Sequence, residues 1–225
     1  MEDAAAFLNR RRVVETYTRT EDVHHDVARR FAAERLSPAL DIGCGDGKLA
    51  RLLAGTAVHW VGIDLTPEML ARAPTPKARG DAARLPFRSG AFGGAAALYV
   101  LYRLPEPRDA MEEAYRVLRP GGLFAAAAPS RHDAPELADL LPHDASTFDS
   151  ELAPELVGAV FDEIEVDAWD GPYLHLPDEE ALRRYLAAYG VPPARAAELA
   201  HRHADRVPLD LTKRGAVVYG RKPSR

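Results

Sequence analysis

Apolar residues recur along this chain in two rhythms, and the change of rhythm separates its parts. Before residue 37, Val23, Val27 and Phe31 return at one-turn spacing, which predicts a helix that buries one stripe. Thr18 with Glu21 has the form of a capping box at the start of that helix. From Leu40 to Ala128 short apolar runs alternate with helical segments, the signature of a parallel sheet. Ala39 to Ile42 leads into a Gly-rich turn and a helix bearing Leu49, Leu52 and Leu53. Val58 to Ile63 precedes a helix that Thr66 can cap, with Pro67 at its first position. A weak third strand lies near Ala78 and a fourth runs from Ala95 to Val100. The helix after Pro107 places Met111, Ala114, Val117 and Leu118 on one face, and Pro120, Gly121 and Gly122 stop it. Leu123 to Ala128 is the fifth strand; Ile164, Val166 and Ala168 alternate as a sixth, and Ala216 to Tyr219 suggest a seventh. Between the last two, Asp178 to Tyr189 and Pro193 to Ala204 read as helices of a small cap. Right-handed crossovers turn this order into an α/β fold, a doubly wound, mostly parallel sheet of seven strands whose ligand site lies at the strand carboxyl ends. The expected organisation is a helical segment over 1–36, a ligand-binding core over 37–130, and the rest of the sheet over 131–225 with an insertion near 177–206.

Composition narrows the partners. The net charge is −5 and basic residues are spread along the chain, so no domain-wide positive field is available for nucleic acid. The basic residues near the end, Lys213, Arg214, Arg221 and Lys222, read as a solvated strand edge. Cys44 is the single cysteine, the opening residues lack the apolar stretch of a signal peptide, and no run approaches the ~20 apolar residues that span a bilayer. A cytoplasmic protein is expected, without nucleic acid or membrane as partner, as monomer or homodimer.

The chemistry is concentrated after the first strand, in Asp41-Ile42-Gly43-Cys44-Gly45-Asp46-Gly47-Lys48. Glycines there let bare backbone approach a bulky ligand. The spacing is G-x-G-x-G, not the G-x-G-x-x-G that cradles a pyrophosphate, and the acid before it suits a ligand carrying positive charge. Asp64, ending the second strand about twenty residues on, can accept both hydroxyls of a ribose, and Asp81 in Gly80-Asp81-Ala82 stands where an adenine amino group would lie. No Ser or Thr follows Lys48, which excludes the P-loop reading. The histidine pairs His24 with His25 and His201 with His203 do not share a helix face, so no metal site is expected.

In order and spacing, residues 36 to 130 resemble the class I S-adenosylmethionine-dependent methyltransferases of the ubiquinone and menaquinone biosynthesis type, a family with a Rossmann-like sheet. The resemblance implies S-adenosylmethionine as cofactor, held by Asp41, Gly43, Cys44 and Gly45 at the methionine part, Asp64 at the ribose and Asp81 at the adenine, with Leu65 and Ala82 beside those acids and backbone at Leu98. Arg119-Pro120-Gly121-Gly122 resembles the family's turn before its fifth strand. After Phe92 the chain departs from the family, with Gly93, Ala97, Leu98, Tyr102 and Arg103 at positions where polar residues and histidines are frequent, and the acceptor is therefore not implied. Position makes Tyr17, Tyr102, Arg103 and Tyr173 candidates for a small-molecule acceptor, and His132 or Tyr17 candidates for catalysis. The reading this favours is methyl transfer to oxygen or nitrogen. A nicotinamide-dependent oxidoreductase, a nucleic-acid methyltransferase and a non-catalytic partner subunit of the same fold stay open beside it.

Overall fold

The computed structural model describes residues 4–20, 23–142 and 146–224. Among the described residues eight α-helices and seven strands follow in the order α1 (Ala4–Tyr17), α2 (Val23–Ala33), β1 (Ala39–Ile42), α3 (Lys48–Leu53), β2 (Trp60–Asp64), α4 (Pro67–Leu70), β3 (Lys77–Arg79), β4 (Phe92–Leu98), α5 (Pro107–Val117), β5 (Leu118–Pro129), α6 (Ala153–Gly158), β6 (Glu163–Leu176), α7 (Glu179–Ala188), α8 (Pro193–Arg202) and β7 (Leu209–Arg221). The strands form one sheet in the order β3-β2-β1-β4-β5-β7-β6. β1 runs parallel to β2 and β4, β2 to β3, and β4 to β5, whereas β7 returns antiparallel to β5. The order reverses between β1 and β4, which opens a crevice at their carboxyl ends.

The chain divides into two compact units. The larger comprises residues 22–131, 146–168 and 215–225. Its sheet centre is built from very small residues, since Gly94 to Ala97 and Ala125 to Ala128 are buried. The gap this leaves is filled by α2: a Cβ on Gly94 would come to 3.0 Å from the Phe31 ring and 3.1 Å from Leu36. On the helices' side of β5 the Phe124 and Phe161 rings stack with centroids 4.9 Å apart, each fully buried.

The smaller unit comprises residues 1–21, 132–145 and 169–214. Leu174, Leu176, Leu182, Tyr185, Leu186, Leu199 and Leu211 make its core. The Asp178 side chain caps α7 by accepting the Ala181 N–H at 2.8 Å.

Three local expectations are corrected. Thr18 does not start α2: its hydroxyl donates to the Val14 carbonyl at 2.7 Å, and its backbone bridges to Leu174. Glu21, the other half of the expected capping box, lies outside the described residues. Thr66 precedes α4 as expected, but its side chain makes no cap bond. The basic residues of β7 are not a solvated edge, because β7 lies between β5 and β6. Lys213 is half-buried and paired with Asp133 beside the Tyr185 hydroxyl, and Lys222 donates to the carbonyls of Tyr115 and Leu118 at the end of α5. Those carbonyls carry the negative end of the helix dipole, so a cation there is stabilised.

Candidate cofactor site

The register of the sheet sets the site. Asp41 lies opposite Gly62 on β2 and Ala96 on β4, Asp64 opposite Arg79, and Leu98 opposite Ala127, so the carboxyl ends of β1, β2, β3 and β4 share one edge. The glycine loop leaves that edge in left-handed backbone, with φ of 68° at Gly43 and 82° at Gly47. A side chain would also find no room: a Cβ at Gly43 would come to 2.5 Å from Val100 Cγ2, and one at Gly47 to 2.4 Å from Pro74 Cδ. The loop is therefore bare backbone folded tightly over the strand ends, and α3 starts from Gly47.

Asp64 pins this loop. Its Oδ2 accepts the Gly45 N–H at 2.9 Å and its Oδ1 the Thr66 N–H at 2.8 Å. Each carboxylate oxygen keeps a second lone pair for a ribose hydroxyl. Leu65 follows it with 46% of its surface exposed, one of the large apolar side chains turned to solvent, and so supplies a flat apolar surface beside the acid. Asp81 is exposed at the end of β3, where its Oδ1 accepts the Ala83 N–H at 2.9 Å and its backbone pairs with Arg84. The turn that carries Asp81 and Ala82 is held from α5: Glu113 accepts the Leu85 N–H at 2.7 Å, and Arg116 donates to the carbonyls of Leu85 and Phe87. Leu98 is 7% exposed at the end of β4.

Asp41 is unlike the other acids. It is 4% exposed and accepts the Trp60 indole N–H at 3.1 Å. Burial pushes its carboxyl up to about 7, with the Asp64 and Asp46 charges adding to the effect and the indole bond opposing it. Cys44 is buried, and that burial pushes its thiol up, so it is no nucleophile. Trp60 was invisible as a site residue in the sequence, where it reads as one more apolar strand position. The alternation of β2 was the available signal, because Trp60, Gly62 and Asp64 fall on one face.

The larger unit thus brings together Asp41, Gly43, Cys44, Gly45, Asp64, Leu65, Asp81, Ala82 and Leu98, and also carries Tyr102 and Arg103, the guanidinium of Arg103 lying 5.5 Å from the Tyr102 ring centre. Tyr17, His132 and Tyr173 belong to the smaller unit. There the strand carrying Tyr173 is tied to the end of α1 by Arg19 N–H donating to the Tyr173 carbonyl at 2.9 Å. Among the described residues no group of three His, Cys, Asp or Glu side chains is placed to hold a metal ion, and no helix is long and apolar enough to cross a membrane.

Residues 40–126 match the family model described as a methyltransferase domain. Over 113 residues the chain is 31% identical to a malonyl-[acyl-carrier protein] O-methyltransferase of Enterobacter lignolyticus, covering 48% of this chain and 45% of that protein. It is 34% identical over 158 residues to an O-methyltransferase of Penicillium expansum, covering 62% and 55%. The chain thus spans about half the length of these curated relatives. Among solved structures it shares the fold of a [4+2]-cyclase, with a TM-score of 0.61 and 22% identity over 93% of this chain and 88% of that one. The glycine loop and the strand-end acids Asp64 and Asp81 all lie within the segment that matches the methyltransferase-domain model.

Proposed function

We propose that this protein transfers the methyl group of S-adenosylmethionine to oxygen or nitrogen of a small-molecule acceptor. The observation that carries the reading is the glycine loop bonded through Gly45 to Asp64, which places bare backbone and an oriented carboxylate at the same strand ends. Gly43 and Gly45 would face the methionine part, Asp64 the ribose hydroxyls, and Leu65, Asp81 and Ala82 the adenine. Bound there, the cofactor supplies a methyl group already activated on a sulfonium. The chain's part is to hold the acceptor atom in line, at about 3 Å, and to exclude water. Tyr102 and Arg103, in the unit that carries the cofactor residues, are the first acceptor candidates of this proposal, and Tyr17, His132 and Tyr173 of the smaller unit are candidates to be tested separately. Aromatic rings and an arginine suit a planar, partly apolar molecule with an acidic group. His132 serves as base where the acceptor is a hydroxyl. The two curated relatives described above are both O-methyltransferases, which supports oxygen as the acceptor atom.

The same fold in a cyclase means that the reaction must be tested at the site and not assumed from the sheet. The test is incubation with methyl-labelled S-adenosylmethionine and a small-molecule extract, followed by separation of products. Label in a small molecule, with demethylated cofactor formed in equal amount, is the expected result. Tight cofactor binding with all label remaining on the cofactor would assign the chain to a non-transferring role.

A further inference from the structure

Three acids gather beneath the glycine loop, and they are not equally provided for. Asp64 has two backbone N–H donors. Asp46 has the Arg51 guanidinium at 3.2 Å. Asp41, the most buried, receives the neutral indole N–H of Trp60. The indole is wedged in place: a Cβ on Gly62 would come to 2.2 Å from Trp60 Cη2 and 2.8 Å from Cys44 Sγ, so the ring packs directly against Gly62 and leaves no room for a side chain there. Trp60 itself is 7% exposed. The groups facing Asp41 are thus Asp64 and Trp60 from β2, and Asp46 and Cys44 from the loop; Lys77 on β3 acts on Cys44 and spends its ammonium on the carbonyls of Leu70 and Ala73. One neutral donor and two negative neighbours leave a buried carboxylate poorly stabilised, and the neutral acid is then the favoured form.

We propose that Asp41 is the proton-linked counter-charge of the cofactor site: its carboxyl holds a proton in the free protein and releases it to solvent when the cationic cofactor settles on the glycine loop, with Trp60 as the positioning residue that fixes the carboxyl. The O–H bond of the Asp41 carboxyl breaks, the electron pair stays on the carboxylate, and the proton goes to buffer. The inference rests on the cofactor site assigned above and goes beyond it by giving that site a proton stoichiometry and a pH dependence. Because the bound state favours the ionised carboxyl, affinity rises with pH until the free protein is itself ionised, near 7.

The experiment is calorimetric titration of the full chain with S-adenosylmethionine between pH 5.5 and 7.0, where the cofactor's own amine stays protonated. Each pH is run in two buffers of different ionisation heat, so that protons released are counted directly. The expected result is close to one proton released per cofactor at pH 6.0, and affinity roughly ten-fold higher at pH 7.0 than at 5.5. Asp41→Asn should release none and show a flat pH profile. Trp60→Phe, which removes the one donor that favours the carboxylate, should move the midpoint of the profile to higher pH while the protein still melts cooperatively. Binding by the wild type without proton release, or a Trp60→Phe profile that superimposes on the wild type, overturns the proposal and leaves the cofactor assignment standing. Absence of binding at every pH overturns both.

Discussion

Asp64 is committed before any ligand arrives, since its two oxygens already hold the N–H groups of Gly45 and Thr66. Its removal therefore costs the loop as well as the ribose contact proposed for it. Asp64→Ala should weaken S-adenosylmethionine binding by about 1.5 to 3 kcal/mol, from the loss of hydrogen bonds to a charged group, and lower the melting temperature too. Asp64→Asn keeps one acceptor and should fall between. Titration calorimetry with parallel melting curves separates these; a folded Ala variant with unchanged affinity removes Asp64 from the site. Asp41 works in the opposite direction. Its folded-state value, near 7, stands above the ordinary 3.8, so between those values the native state binds more protons than the unfolded chain. Its contribution to stability is fully present below about 4 and is lost as pH rises through 7. The loss is on the order of 4 kcal/mol for a shift of this size. Asp41→Asn should accordingly melt higher than the wild type at pH 8 and converge with it only as pH falls toward 4. A difference independent of pH would show that Asp41 is ionised throughout.

At the scale of elements, α5 does more than cover the sheet. Arg116 near its end donates to the carbonyls of Phe87 and Leu85 at 2.8 and 3.0 Å and pairs with Glu113, which accepts the Leu85 N–H. The pair clamps the turn that follows Asp81 and Ala82. Arg116→Ala leaves two carbonyls and a carboxylate without their donor, a cost of about 1 to 3 kcal/mol. A fall in melting temperature of about 5 °C is expected with it, together with several-fold weaker cofactor binding. Lysine should restore only part, because a single ammonium cannot serve the three acceptors of the planar fork; full restoration would reduce the clamp to a matter of charge. Elements of this kind explain what could be read from the sequence. The β1-loop-α3 unit was legible because glycine spacing, strand and helix lie within a dozen residues, and α5 because its apolar stripe recurs cleanly. β6 was legible only at its start, where Ile164, Val166 and Ala168 alternate, and β7 only toward its end, from Ala216 to Tyr219. The rest of β6 carries Gly171 and Pro172, and the start of β7 carries Lys213 and Arg214, which break the apolar pattern. Lys213 read as a solvated residue because its partner Asp133 is 80 positions away, and nothing local announces a half-buried pair at that separation. Trp60 was hidden for the same reason, its bond to Asp41 running between strands.

At the scale of the whole molecule, two cores divide the work proposed for this chain. Every residue assigned to the cofactor lies in the larger unit, which has its own interior around Leu40, Ile63, Phe124 and Phe161. Tyr17, His132 and Tyr173, proposed for the acceptor, lie in the smaller unit. That unit depends on α7 and α8, whose buried Leu182, Tyr185, Leu186 and Leu199 are much of its core. Leu186 is fully buried, so Leu186→Ala should cost about 2 to 5 kcal/mol through lost burial and the cavity left behind. The cost falls on one core. Hydrogen exchange should therefore show loss of protection in α7 and α8 while the amides of β1 and β4 keep theirs. Cofactor affinity should stay within about three-fold of the wild type, and methyl transfer should fall by at least about ten-fold, because acceptor residues held less firmly position the reacting atom less often. Unimpaired transfer in a variant whose α7 and α8 have demonstrably loosened would remove the smaller unit from acceptor recognition and leave Tyr102 and Arg103 as its remaining candidates.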